Sequence, residues 1–210
     1  VYYRGTYYNS SNPGSSGWSQ TGVEKDFGIR FDKKSLPYWS SSEVADVQDA
    51  IEDGVVVIGS AGNDHAYMAE PNDADWNNML AWNRGGTTYS RYMNRGAWPN
   101  TPDSGSIIVG SLSNVHDFRR TWSSNYGPAV DTFAPGVEIL SAFGNTGGAD
   151  GKYGSGNYFA SISGTSMSSP QVAGVAATLA TAKTRFTNSD LRGYFQRHCK
   201  DNDMTFDTGS

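Results

Sequence analysis

Residues 163–174 read Ser-Gly-Thr-Ser-Met-Ser-Ser-Pro-Gln-Val-Ala-Gly, and this stretch decides how the rest of the chain is interpreted. Its small residues predict a tight turn, followed by a helix that runs from Ser166 to about residue 183. Pro170 falls in the first turns of that helix, where a missing N–H costs least. The start of a helix carries N–H groups without intrahelical partners, and these groups favour negative charge. A serine in this place can attack a carbonyl carbon while the neighbouring N–H groups stabilise the oxyanion.

A simpler interpretation of Ser166 is a helix cap, because serine is common at that position. An isolated Thr-Ser-Met sequence would favour the cap. The longer run Gly-Thr-Ser-Met-x-x-Pro-x-Val-Ala-Gly, however, closely resembles the nucleophile motif of the subtilase family of serine proteases. Other segments resemble the family in the same chain order: Ser60-Ala61-Gly62-Asn63, residues 106–110, Trp122-Ser123-Ser124-Asn125-Tyr126-Gly127 and residues 131–136.

The resemblance is clear over residues 43–63 and 106–191 and fails across residues 67–105. It implies one subtilisin-like domain over residues 1–210. The expected fold class is α/β: a three-layer α/β/α arrangement with a mainly parallel sheet, here lacking its N-terminal portion.

The resemblance also implies roles for individual residues. Ser166 is the expected nucleophile of a serine endopeptidase that forms an acyl-enzyme, and its N–H and the Asn63 amide are the expected oxyanion hole. Ser60, Ala61 and Gly62 are expected to line the pocket for the substrate residue that precedes the scissile bond. Asp64 would lie at the mouth of that pocket and favour a basic side chain, or it is simply a solvated loop residue.

The family's other two triad residues are not recognisable. Subtilases supply Asp, His and Ser in that order, and a serine without its base is a weak nucleophile. The three histidines, His65, His116 and His198, lack the Gly-rich and small-residue surroundings of the family's catalytic His. Asp26 and Asp32 fit solvated loop charges better than a triad Asp.

Two hypotheses account for this gap. In the first, the chain is the C-terminal part of a protease whose Asp and His lie on an upstream companion segment. In the second, it is a non-catalytic module, structural or protein-binding, within a larger assembly.

Periodicity supports the α/β interpretation. The spacing of Val44, Val47 and Ile51 predicts a helix over residues 43–53 with a cap among the serines before it. A last helix is predicted over residues 188–198 with Asn188 as its cap. Two short apolar runs, residues 55–60 and 106–110, predict strands that are buried on both faces. Residues 130–133 and 137–142 are further strand candidates. Residues 1–37 predict one or two strands and long loops.

Residues 64–105 are rich in Trp and Tyr and show little periodicity, which predicts a functional or partner-contacting insertion. Its aromatic residues are favoured at protein interfaces but would serve equally in a local aromatic core; they are Tyr67, Trp76, Trp82, Tyr89, Tyr92 and Trp98. Asn72, Asp73 and Asp75 form an oxygen-rich cluster without an EF-hand pattern. Subtilases often bind structural calcium, but a solvated loop is the better interpretation, and no cofactor is required.

Composition and charge limit the classes of partner that the chain is expected to bind. The 210 residues carry a net charge of −5, and the 16 basic residues are scattered, which argues against nucleic acid. The sequence contains no run of 18 apolar residues, so it does not predict a membrane-spanning helix. The family resemblance implies peptide or protein substrates. Val1 rather than Met at the start suggests a processed or truncated end, and we expect an extracellular protein or part of a larger secreted or virion-like assembly. Because strands would be missing from the sheet, the isolated chain is expected to be unstable.

Overall fold

The computed structural model describes residues 2–3, 6–7, 40–84, 86–96, 101–114, 118–144, 151–152 and 158–199. The α-helices in these ranges are Ser41–Glu52, Thr165–Ala180 and Asn188–His198, with a 3-10 turn at Pro102–Ser104. The strands are Tyr2–Tyr3, Thr6–Tyr7, Ile58–Ser60, Met79–Arg84, Thr87–Tyr92, Ile107–Leu112, Thr132–Pro135, Ile139–Phe143, Gly151–Lys152 and Tyr158–Ile162.

A parallel sheet forms the centre of the described structure. Ile107–Leu112 is its middle strand, with Ile58–Ser60 on one side and Thr132–Pro135 on the other. We call these three strands the central sheet. The three predicted strands are confirmed with boundary shifts: the first begins three residues later than predicted and the third two residues later. The middle strand reads as an apolar run because both of its faces are buried.

The two faces of the middle strand contact different layers. Ile107 and Val109 are fully buried against the two C-terminal helices, where their partners include Val172, Leu191 and Phe195. Ile108, on the opposite face, packs with residues of the loops that follow the first and middle strands: Ala61, Met68, Ala129 and Val130. The helices and the parallel sheet confirm the α/β fold class.

The helix Thr165–Ala180, which we call the serine helix, packs on the central sheet with one face only. Val172 and Ala176 are buried there, whereas Val175, which flanks this buried stripe, is 42% exposed. The low charge of residues 166–183 predicts a centrally buried helix, and among the described residues this burial is confined to the stripe that faces the sheet.

The remaining described sheets are antiparallel. Ile139–Phe143 pairs with Tyr158–Ile162, and Tyr158–Ile162 also pairs with Gly151–Lys152. The sequence analysis did not predict the strand Tyr158–Ile162. The expectation of a mainly parallel sheet is therefore met in the central sheet, whereas the other described sheets are antiparallel.

The cap of the last helix is Thr187, and the prediction of Asn188 was wrong. The Asp190 N–H donates to Thr187 Oγ1 at 3.2 Å, and the Thr187 N–H donates to the Asp190 carboxylate at 3.0 Å, which makes a capping box. Asn188 is buried instead. Its amide nitrogen donates to the carbonyls of Val57 and Gly105, and the Val57 N–H donates to its oxygen. A buried amide needs such partners, so the side chain points at the sheet rather than at the helix end.

Residues 64–105, which we call the aromatic segment, contain a hairpin that periodicity did not reveal. Met79–Arg84 and Thr87–Tyr92 pair along six residues each, and Tyr2–Tyr3 adds to this sheet through Tyr2 opposite Met79. The hairpin strands mix polar and aromatic residues without clean alternation, which explains why the strands were missed.

Arg95 connects the end of the hairpin to the residues that precede it. Its guanidinium carbon lies 3.4 Å from the ring centroid of Tyr92 and 4.5 Å from that of Trp76. It donates to the Trp76 carbonyl and to Asn77 Oδ1, and burial lowers its pKa. Trp76 is buried, so the local aromatic core is the better description of this residue. Trp98 and the side chains of Trp82 and Tyr89 lie outside the described residues.

Candidate functional site

Ser166 is the second residue of the serine helix, and its side chain is exposed. The turn before it is fastened by the Gly164 N–H, which donates to the Gly136 carbonyl at 2.7 Å. Gly164 has a φ of +150°, a conformation that favours glycine. The N–H groups of the first four residues of a helix have no intrahelical partner. The Ser166 N–H is one of these groups, so it is a potential donor at the start of the helix.

Asn63 lies against this turn, although 102 residues separate it from Thr165 in sequence. Its Oδ1 accepts from the Thr165 N–H at 2.9 Å and from the Thr165 hydroxyl at 3.1 Å. A Cβ placed on Gly164 would lie 3.4 Å from Asn63 Nδ2. These two bonds fix the amide oxygen toward Thr165, which leaves Nδ2 of this exposed side chain to donate to another group. The structure therefore brings the two predicted catalytic residues, Ser166 and Asn63, to one place.

Thr165 is a functional residue that the sequence analysis did not single out. It is fully buried, and its hydroxyl accepts from the Gly62 N–H at 3.1 Å while donating to Asn63. One hydroxyl thus ties the loop that carries Asn63 to the first residue of the serine helix. Its position beside Ser166 could have marked Thr165 as a site residue. The sequence does not show, however, that it bonds to a residue 102 positions away.

The three predicted pocket residues differ in what they can offer a substrate. Ala61 is buried and packs in the core, and its carbonyl accepts from Asn125. Gly62 has its N–H bound to Thr165 and its carbonyl bound to the Asn125 N–H. Ser60 ends the first strand of the central sheet and is half-buried. Their role in substrate binding stays a prediction.

Asp64 and His65 continue the loop beyond Asn63. Asp64 is exposed, and its Oδ2 lies 3.6 Å from the point where a Cβ on Gly62 would be. His65 has a φ of +51°, its Nδ1 donates to the Trp122 carbonyl at 2.5 Å, and its ring packs on Tyr126. The carboxylate is thus close to the predicted pocket, which keeps the basic-residue preference open as a prediction.

No described histidine is hydrogen-bonded to Ser166. His65 is engaged as above, and His198 packs on Tyr194 at the end of the last helix, with ring centroids 4.6 Å apart. His116, Asp26 and Asp32 lie outside the described residues. The expectation that the base comes from elsewhere therefore stays a prediction.

The oxygen-rich cluster in the aromatic segment is engaged in its own turn. Asp73 accepts from the Tyr67 hydroxyl at 2.6 Å and from the Asp75 N–H at 2.9 Å. Asp75 in turn accepts from Asn78 Nδ2 at 2.9 Å. Within the described ranges, no three His, Cys, Asp or Glu side chains come together in a way that suits a metal ion. The solvated-loop interpretation of this cluster stays a prediction.

Helices able to cross a bilayer do not occur in the described part of the chain.

Curated proteins similar to this chain are serine proteases. A thermophilic serine proteinase of Bacillus sp. (strain AK1) is 35% identical over 153 residues, which are 70% of this chain and 34% of that protein. Subtilisin-like protease 1 of Pseudogymnoascus destructans is 32% identical over 142 residues, 68% of this chain and 26% of that protein. The chain thus spans about a third of the first relative's length and about a quarter of the second's.

Solved structures show the same likeness. A cold-adapted subtilisin-like serine proteinase superposes with a TM-score of 0.53 at 26% identity, over 80% of this chain and 46% of that one. A protease of Pseudoalteromonas arctica superposes with a TM-score of 0.57 over 81% of this chain and 44% of that one, and at 22% identity it shows the fold alone. The model of the subtilase family, Peptidase_S8, matches residues 9–209, and the chain therefore belongs to the subtilase family.

Proposed function

We propose that this chain carries the nucleophile and the oxyanion hole of a serine endopeptidase. Ser166 Oγ attacks the carbonyl carbon of a peptide bond and passes its proton to a base. The oxyanion that forms is stabilised by the Ser166 N–H and Asn63 Nδ2. The amine leaves with the transferred proton, and water then hydrolyses the acyl-enzyme on Ser166.

One observation carries this proposal: the orientation of the Asn63 side chain. Two donors from Thr165 occupy Oδ1, so Nδ2 is the atom that remains available beside the Ser166 turn. A donor that is already oriented costs no reorganisation when the oxyanion forms. An Asn that served only as a loop residue would not need its amide orientation determined in this way.

We further propose that the catalytic Asp and His come from an upstream segment that is not in this chain. The chain covers 34% of the first relative and 46% of the first solved structure, so these proteins contain much that has no counterpart here. Val175 of the serine helix is an exposed apolar side chain beside the buried stripe, and it would suit cover by additional chain. An extracellular location, or one in a larger secreted or virion-like assembly, remains part of the same prediction.

Fluorophosphonate labelling of the native, as-isolated material, followed by peptide mapping, tests the proposal. The reagent reacts quickly only with a serine that has a base and an oxyanion hole. We expect label on Ser166, and none in Ser166→Ala. Asn63→Ala should slow labelling by about 10²–10³-fold. The rate of a subtilisin, a relative of this chain, falls by about this factor when such a donor is removed.

Asn72→Ala is a matched control, because Asn72 is an exposed loop amide outside the site. It should label at the wild-type rate. Folded material that takes no label would contradict the proposal and favour the non-catalytic module, in which the Ser166 turn has only a structural role.

A further inference from the structure

Asn125 lies beside the loop that carries Asn63, residues 61–66, which we call the Asn63 loop. Its side chain is 5% exposed. Its Oδ1 accepts from the Asp64 N–H at 3.0 Å and from the Ala66 N–H at 2.8 Å, and its Nδ2 donates to the Ala61 carbonyl at 2.7 Å. A single amide therefore binds the loop on both sides of Asn63.

Two further contacts connect Asn125 to the same loop. Its backbone N–H donates to the Gly62 carbonyl at 2.9 Å. Gly62 has a φ of +98°, and a Cβ there would lie 2.6 Å from Asn125 Nδ2. The amide thus occupies the space that a side chain at position 62 would need, so the loop takes its course around Asn125.

The segment that presents Asn125 is itself well anchored. Arg120 donates to the Ser124 carbonyl and lies over the Tyr126 ring, with its guanidinium carbon 4.4 Å from the ring centroid. The Ser111 N–H donates to Ser124 Oγ at 3.0 Å, which connects the segment to the middle strand of the central sheet. Ser111 and Arg120 are not part of the Asn63 loop, so Asn125 is held from outside that loop as well as by its bonds to it.

We propose that Asn125 is a positioning residue for the oxyanion hole. Through its bonds to Ala61, Asp64 and Ala66 it holds the loop in the shape that places the Asn63 amide beside Ser166. It touches no reacting atom and acts through Asn63. The catalytic consequence rests on the proposed function, whereas the loop geometry does not.

A double-mutant cycle measured by the labelling rate of Ser166 separates positioning from general stabilisation. In the wild-type background, Asn125→Ala should slow labelling about 10- to 100-fold, since small misplacements near the reacting centre have effects of this size. In the Asn63→Ala background the same change should cost less than about 3-fold, because the group that it positions is already gone.

Asn78→Ala is the control, because Asn78 is an equally buried amide, at 1% exposed, whose side chain bonds to Asp75 and Asn94 in the aromatic segment. It should lower stability but leave the labelling rate nearly unchanged in both backgrounds. Equal slowing by Asn125→Ala with and without Asn63 would overturn the proposal, since Asn125 would then act on stability alone.

Amide hydrogen exchange gives a readout that needs no catalysis. In Asn125→Ala the N–H groups of Asp64 and Ala66 should exchange at least about 10-fold faster, the effect expected from losing about 1.4 kcal/mol of protection. If the wild-type protein takes no label, the proposed function fails while this measurement still decides the loop's dependence on Asn125. Unchanged exchange in Asn125→Ala would overturn the positioning role.

Discussion

The central sheet with its serine helix and the aromatic segment are held together by different forces. In the first region, fully buried apolar residues such as Ile107 and Ile108 pack between two layers, and hydrophobic burial dominates. In the second, Asn78, Asn94 and Arg95 are buried together with Trp76, so hydrogen-bonded amides and a stacked cation carry much of the structure. Apolar burial leaves a period in the sequence, whereas a specific polar network does not.

The two regions meet at Tyr126 and at Met68. The Met68 N–H donates to the Tyr126 carbonyl at 2.7 Å, and the Tyr126 N–H donates to the Ala66 carbonyl at 3.0 Å. Met68 is also buried against Ile108 of the middle strand. These contacts lie at the start of the aromatic segment, so damage confined to residues 76–95 should leave the central sheet intact.

Gly136→Ala should have the largest effect and should break the first region. A Cβ at position 136 would lie 2.2 Å from Ser111 Oγ, 2.4 Å from Ser168 Oγ and 2.8 Å from the Gly164 carbonyl. Overpacking of this kind costs about 3 kcal/mol, and it would also displace the turn before Ser166. Urea unfolding and Ser166 labelling should both be impaired. Gly174→Ala, where an added Cβ meets no described atom, is the control, and a comparable loss there would contradict the steric explanation.

Arg95→Ala should have an intermediate effect, confined to the aromatic segment. It removes a desolvated cation stacked on two rings, for which we expect a loss of about 2 kcal/mol. Hydrogen exchange should quicken in residues 76–95 and remain unchanged in Ile107–Leu112. Arg95→Lys, which keeps the charge but not the planar stack, should recover only part of the loss. If the central strand loses protection as well, the two regions are one cooperative unit and the comparison fails.

Thr187→Ala should have the smallest effect, a loss of about 1 kcal/mol from the last helix, because it removes the acceptor for the Asp190 N–H. Thermal unfolding at neutral pH measures this, and Thr184→Ala, an exposed threonine outside the capping box, is the control. A drop equal to that of Gly136→Ala would show that the cap is more than a local contact.

The same cap predicts a pH dependence. Hydrogen bonds from Lys183 and then from Thr187 lower the pKa of Asp190 below its ordinary value. A carboxylate with a lowered pKa adds stability above its unfolded pKa of about 4, and this contribution is lost as the pH falls through the lowered value. The difference in stability between wild type and Asp190→Asn should therefore be present at pH 6 and shrink below pH 4. A difference that stays constant with pH would contradict the ionic contribution.

Much of the first region could be predicted from residues alone. Apolar runs gave the first and middle strands of the central sheet to within three residues, and residues 130–133 were predicted as a further strand. The middle strand is buried on both faces, which explains why its sequence is largely apolar. The serine motif indicated the nucleophile and, through the family resemblance, Asn63. The hairpin Met79–Arg84 with Thr87–Tyr92 and the strand Tyr158–Ile162 were missed, because their residues lack a clean alternation and their pairing partners decide the conformation.

The cap of the last helix shows how local rules compete. Thr187 and Asn188 are both acceptable caps by residue type, and the sequence does not say which one faces the sheet. Asn188 is drawn inward by the carbonyls of Val57 and Gly105, about 131 and 83 residues away in sequence, and this leaves Thr187 to cap the helix.

The sequence by itself determined the family, the parallel α/β core and the identity of the serine, since these depend on local motifs and on apolar periodicity. Only the tertiary structure decided that Thr165 orients the Asn63 amide and that Asn125 binds the loop on both sides of it. These hydrogen bonds join residues 59 to 102 positions apart and depend on where the strands of the central sheet end. A side-chain amide looks the same in the sequence whether it faces solvent or a backbone carbonyl.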